Sequence, residues 1–128
     1  MDTLGAMEPP KCLCHIDANV DNFLFFEDGS VKLLDWEYAG MCDPVMDVSM
    51  CAIYSYYNEE DMERLFRLYL QREPSEDELF ALYANAALGG FLWCLWAVYK
   101  SILGDEFGEY TIIMYRYAKK YYRKLRKL

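Results

Sequence analysis

Histidine occurs once in these 128 residues, at His15, and no two of the five cysteines form a CxxC pair. An odd cysteine count without that spacing excludes a disulfide framework. Cys12, Cys14 and His15 lie close in sequence, but a tetrahedral zinc site needs a fourth ligand at a converging spacing, and none is present. No basic start followed by an apolar stretch opens the chain, so no signal peptide is expected and a reducing cytoplasm is the default location. Basic residues are nearly missing from the first half, where only Lys11 and Lys32 precede Asp61. With a net charge of −8 and a pI near 4.6, nucleic acid is not the expected partner, because its binders present a basic surface to phosphate. The acidic half suits a cationic substrate or metal ions instead. Arg116 to Lys127 is basic without an acid, as a helix end, a solvated face or a contact with an anionic surface would be.

What is present is enough apolar material for a core. The chain is 55% hydrophobic and 17% aromatic, which suits one packed domain over residues 1–128. Leu79 to Tyr99 carries no charge and has the length of a membrane span. Its start, Ser75 followed by Glu78, has the capping-box spacing of a helix beginning in water. A central core helix, apolar all round and buried in a soluble domain, is therefore the reading adopted, and no membrane span is expected.

The chain reads as strands first and helices after, an α+β layout that is mostly helical. Pro9 and Pro10 mark a break, Lys11–His15 a short strand, and Asn22–Phe26 and Val31–Asp35 two strands joined by a hairpin turn at Glu27–Ser30. Helical periodicity then covers Pro44–Tyr57, Asn58 to Arg72, Ser75 to Gly104, and Glu109 towards the C-terminus. The chain thus divides into a strand-and-hairpin part, 11–35, and a helical part, 44–128.

The connection between the first two strands gathers His15, Asp17, Asn19, Asp21 and Asn22. The hairpin then returns the chain to Asp35 at a strand end. Asn22 and Asp35 offer the oxygen ligands that magnesium takes alongside phosphate and water. Asp17 is free to accept the proton of an incoming hydroxyl. Asn19 and Asp21 are read as loop-shaping residues.

His15-Ile16-Asp17, four residues, Asn22, then Asp35-Trp36-Glu37 resembles the His-Arg-Asp, Asn and Asp-Phe-Gly pattern of protein kinases. It is similar in particular to the kinase-like small-molecule phosphotransferases, the group of aminoglycoside phosphotransferases and choline and ethanolamine kinases. Ile16 stands where many protein kinases have arginine, and no Ala-Pro-Glu follows, which points away from a protein substrate. "LLDWEYAGMCDPVMDVS" (33–49), "FLWCLWAVYKS" (91–101) and "EFGEY" (106–110) resemble the bacterial choline kinases. The resemblance implies Asp17 as base, His15 and Asp47 as braces of the loop, Asn22 and Asp35 as magnesium ligands, and ATP as co-substrate. It also implies a cage for choline or a related small amino alcohol from Trp36, Glu37, Tyr38, Trp93, Trp96 and Tyr110. A quaternary ammonium has no N–H to donate, so aromatic faces and nearby carboxylates suit it. On spacing alone Trp93 and Trp96, three apart on one face of an apolar helix, read more readily as core than as cage.

No glycine-rich loop or strand lysine for ATP phosphates is found in the sequence. The expectation is therefore the C-terminal-lobe portion of a kinase-like fold, with the N-terminal ATP lobe absent and little turnover by this chain alone. A homo-oligomer through the face left open is expected with it. An ethanolamine or aminoglycoside phosphotransferase, or a non-catalytic module binding a quaternary ammonium or a partner chain, are the alternatives.

Overall fold

The computed structural model describes residues 11–127; the expected break at Pro9 and Pro10 lies outside them. Four short strands, β1 (Cys12–Cys14), β2 (Phe23–Phe25), β3 (Val31–Leu33) and β4 (Gly40–Cys42), precede four helices. The helices are α1 (Val45–Tyr54), α2 (Glu59–Leu70), α3 (Glu76–Ile102) and α4 (Tyr110–Leu125). The layout is the α+β, mostly helical one expected. β2 and β3 form the anticipated hairpin, with Phe23 opposite Leu33, and Gly29 takes the left-handed position of the turn at φ 81°. β1 does not join them. It pairs antiparallel with β4, Cys12 opposite Cys42 and Cys14 opposite Gly40, a strand too short to leave a period-2 signal.

Local chemistry sets the helix ends. Asn58 caps α2 by accepting the Asp61 amide at 3.0 Å, and Gln71, left-handed at φ 56°, stops it. Ser75 and Glu78 make the expected capping box on α3, with bonds of 3.2 and 2.8 Å. Arg72 grips the same Glu78 carboxylate at 2.5 and 2.8 Å. α1 stops three residues before the expected Tyr57, because Ser55 caps it and Tyr56 turns left-handed at φ 54°. Gly104 ends the turn after α3 at φ 102°.

The core lies where α3 packs between α1 and α4, around Met50, Ile53, Leu82, Ala86, Met114 and Tyr121. α3 is long and apolar enough to cross a membrane by length and composition. Contrary to expectation it is not buried all round: two helices flank it, so one side is covered and Leu88, Phe91, Leu92, Leu95, Tyr99 and Ile102 on the other are each more than half exposed. The basic residues of α4 do not all face solvent. Lys124 pairs with Glu59 and lies 3.8 Å from Glu63 on α2, while its Nζ sits 4.2 Å from the Tyr83 ring centroid.

Gly89 and Gly90 let α3 approach its neighbours. A Cβ on Gly90 would stand 2.8 Å from the Met114 carbonyl oxygen and 2.9 Å from the Ala118 nitrogen, backbone of α4 that cannot yield locally. On Gly89 it would meet the Met50 thioether, a flexible side chain that can move. Gly90→Ala is expected to lower stability by about 1–2 kcal/mol in urea unfolding despite the better helix propensity of alanine, and Gly89→Ala by less.

Candidate active site

The loop between β1 and β2 is held by a carboxylate from another element. Asp47, in the first turn of α1, accepts the backbone N–H of His15 at 2.8 Å and that of Ile16 at 2.7 Å, one on each carboxylate oxygen. Ile16 pays the conformational price, at φ 69°, a region that β-branched residues avoid at a cost of about 1–3 kcal/mol. Two charge-assisted bonds to successive amides offset that cost.

His15 is fully buried. Its Nε2 lies 2.6 Å from the Leu34 carbonyl oxygen, an acceptor, so Nε2 carries the hydrogen and ties the loop to the end of β3. Nδ1 has no hydrogen-bond partner among the described residues. The Trp36 ring meets the imidazole edge-on, centroids 4.9 Å apart, and its Nε1 donates to the Leu33 carbonyl at 2.9 Å. Trp36 thus packs over the buried histidine and is not among the residues lining the aromatic cavity, which departs from the cage expected of it.

At the far end of the loop, Asn19 caps the 3-10 turn Val20–Asn22. Asn22 Nδ2 donates to the Asp17 carbonyl at 3.0 Å and reaches its carboxylate at 3.4 Å. The Leu34 amide bonds the Asn22 carbonyl at 2.8 Å, which brings Asp35, left-handed at φ 59°, one residue beyond the point facing Asn22. With the Asn22 amide nitrogen committed to Asp17, its oxygen and the Asp35 carboxylate are the donors left. One amide oxygen and one carboxylate fit magnesium, which draws its other ligands from phosphate and water. Among the described residues, no three His, Cys, Asp or Glu side chains form a cage that would hold a metal by themselves.

Asp17 faces a cavity of about 260 Å³ shared with Asn19, Glu37, Tyr38, Tyr54, Trp93, Trp96, Phe107 and Tyr110. Tyr38 and Trp96 each meet Trp93 edge-on, at centroid distances of 5.4 Å, and Trp96 meets Phe107 at 5.2 Å. Trp93 is both core and wall: it is 5% exposed, packs in the main cluster and lines the cavity. Burial, reinforced by the Asp17 carboxylate, pushes the Tyr54 phenol far up. Burial likewise holds Tyr110 at about 12, with Tyr54 acting in the opposite sense and the Asp17 charge adding to the rise. Both phenols therefore remain protonated beside an acceptor carboxylate.

Of the expected residues the structure brings together Asp17, Glu37, Tyr38, Trp93, Trp96 and Tyr110 at this cavity. Asn22 is bonded to Asp17, Asp35 follows the Leu34–Asn22 bond by one residue, and His15 and Asp47 are joined through the His15 amide. Tyr54 and Phe107 were not singled out by sequence. Tyr54 is seven residues after Asp47, two turns along α1, and so shares its face; that spacing was the available signal.

Removing the clamp should be felt at the loop first. Asp47→Ala is expected to cost about 3 kcal/mol, from two charge-assisted bonds lost and a strained Ile16 left unsupported. Hydrogen exchange at the His15 and Ile16 amides should accelerate ahead of exchange in α3, and unchanged protection at those two amides would contradict the clamp.

Residues 1–84 match the sequence pattern of the Phosphotransferase enzyme family (APH). Protein LicA of Haemophilus influenzae is 27% identical over 105 residues, 77% of this chain and 39% of that protein. Among solved structures, choline kinase LicA from Streptococcus pneumoniae superposes with a TM-score of 0.73 at 30% identity, over 89% of this chain and 40% of that one. A choline/ethanolamine kinase family protein from Mesorhizobium loti gives 0.80 at 26% identity, over 97% and 44%. The chain spans about two-fifths of the length of these relatives. With its helical layout matching kinases of this type across nearly its whole length and two-thirds of its sequence inside the family pattern, the chain belongs to the phosphotransferase enzyme family.

Proposed function

We propose that this chain forms the catalytic-loop and substrate-binding portion of a choline kinase, which transfers the γ-phosphate of ATP to the choline hydroxyl and yields phosphocholine. The observation that carries the reading is the placement of the Asp17 carboxylate in the wall of an aromatic cavity with one further acid, Glu37. A trimethylammonium head is held there by ring faces and the two negative charges, without any N–H to satisfy. Asp17 accepts the hydroxyl proton as the oxygen attacks phosphorus and the bond to ADP breaks. Its carboxylate is oriented by Asn22 Nδ2, and its loop is held in place by Asp47. Asn22 and Asp35 would hold magnesium, which when bound neutralises charge on the phosphate oxygens. A related structure, LicA in complex with AMP, supports an adenine nucleotide as donor, and a cytoplasmic location follows from the need for ATP.

Six aromatic rings against two carboxylates favour a quaternary over a primary ammonium, whose N–H groups need acceptors. In calorimetry on the folded chain, choline is expected to bind at least about 10-fold more tightly than ethanolamine, and Trp96→Ala to weaken choline by about 10-fold. Equal affinity for the two amines would favour an ethanolamine kinase, and no binding by a folded chain would overturn the reading for this portion. Turnover with ATP separates a catalyst from a binding module: Asp17→Asn should leave choline affinity within a few-fold while abolishing whatever phosphocholine formation the chain supports.

The exposed side of α3 also supports self-association. Light scattering is expected to show a dimer or larger species, since an apolar stripe of this kind is rarely left open to water. A monodisperse monomer would count against it.

A further inference from the structure

Strand β1 leads into the catalytic loop and β4 leads into α1, and their pairing sets three cysteines on one face. Cys12 lies directly opposite Cys42, while Cys14 lies opposite Gly40. Side chains alternate along a strand, so Cys12, Cys14 and Cys42 share a face and Leu13 and Met41 point the other way. The Cys12 and Cys14 sulfurs are 3.6 Å apart, and the Cys14 thiol reaches the Cys42 carbonyl at 3.6 Å and the Asp43 carbonyl at 3.5 Å. Cys12 is exposed, Cys42 partly exposed and Cys14 buried.

Their geometry distinguishes the three. Residues directly opposite in an antiparallel pair have Cα atoms about 4.5 or 5.5 Å apart, inside the range a disulfide spans. Residues two apart on one strand stand near the upper limit of that range, about 6.8 Å. Burial, with hydrogen bonding to Cys42 and Cys12, pushes the Cys14 thiol far up, so Cys14 keeps its proton and is a poor nucleophile. We propose that Cys12 and Cys42 form a reversible cross-strand disulfide, exchanged in and out by a small-molecule disulfide such as glutathione disulfide.

The exchange runs in two steps. The Cys12 thiolate attacks one sulfur of glutathione disulfide, forming a mixed disulfide and releasing one glutathione thiolate. The Cys42 thiolate then attacks the Cys12 sulfur, the protein disulfide forms and the second glutathione leaves. Two protein thiols lose two electrons and two protons, and the oxidant becomes two thiols. The bridge would join a point three residues before His15 to one five residues before Asp47, the same two segments that the Asp47 carboxylate ties together. Oxidation thus reinforces the loop clamp, and in a reducing compartment it is transient.

The test is incubation of the folded protein with glutathione disulfide, alkylation of free thiols and non-reducing peptide mapping. Five free thiols are expected to fall to three, a difference of two, with tryptic peptides 12–32 and 33–64 linked. The link should persist in Cys14→Ser and Cys51→Ser and be lost in Cys12→Ser and Cys42→Ser. The thermal midpoint of the wild type should rise on oxidation and return on adding dithiothreitol. Five thiols retained by folded wild-type protein, a link that survives Cys42→Ser, or a bridge within peptide 12–32 would each overturn the proposal.

Discussion

The site depends on one carboxylate receiving two adjacent backbone amides. Asp47 holds the N–H groups of His15 and Ile16, and that pair of bonds keeps Ile16 in a backbone region that an isoleucine avoids. With Ile16 fixed at φ 69°, the chain bends there. His15 is directed inward to the Leu34 carbonyl and Asp17 outward to the cavity. A carboxylate at the start of a helix is also favoured by the helix dipole, so the same residue is compatible with α1 and with the loop.

α1 links this clamp to the aromatic cavity. Asp47 on its first turn grips the loop, and Tyr54 on its last, two turns later, faces Asp17 and packs 5.9 Å from the Trp93 ring. The helix therefore sets the distance between the loop that carries Asp17 and the wall of α3 that carries the tryptophans. α3 in turn is pressed against α4 through Gly90, where backbone meets backbone, and Tyr110 on α4 completes the cavity. Packing far from Asp17 is thus part of how the cavity keeps its shape.

Most of the helices could be read from sequence because their ends carry their own chemistry: the Asn58 cap, the Ser75–Glu78 box and the left-handed Gly104 are local signals. The hairpin was legible for the same reason, through the Glu27–Ser30 turn, where Asp28 accepts the Ser30 amide at 2.9 Å and Gly29 is left-handed. β4 was not, since three residues paired to a strand 28 positions away carry no periodicity of their own. Trp36 illustrates a different limit. Its neighbours Glu37 and Tyr38 reach the cavity, but the left-handed turn at Asp35 sends the indole back over His15, and no residue count reveals that. Trp93 shows why spacing alone could not separate core from wall: the ring is 5% exposed, packs in the main cluster and still lines the cavity.

The three tryptophans provide a direct reading of where a cation sits. In a 15N-labelled sample titrated with tetramethylammonium, the indole Nε1–H signals of Trp93 and Trp96 should shift with saturation, while that of Trp36, bonded to the Leu33 carbonyl, stays in place. A shift confined to Trp36, or three unmoved indoles in a folded protein, would contradict an aromatic cation site facing Asp17.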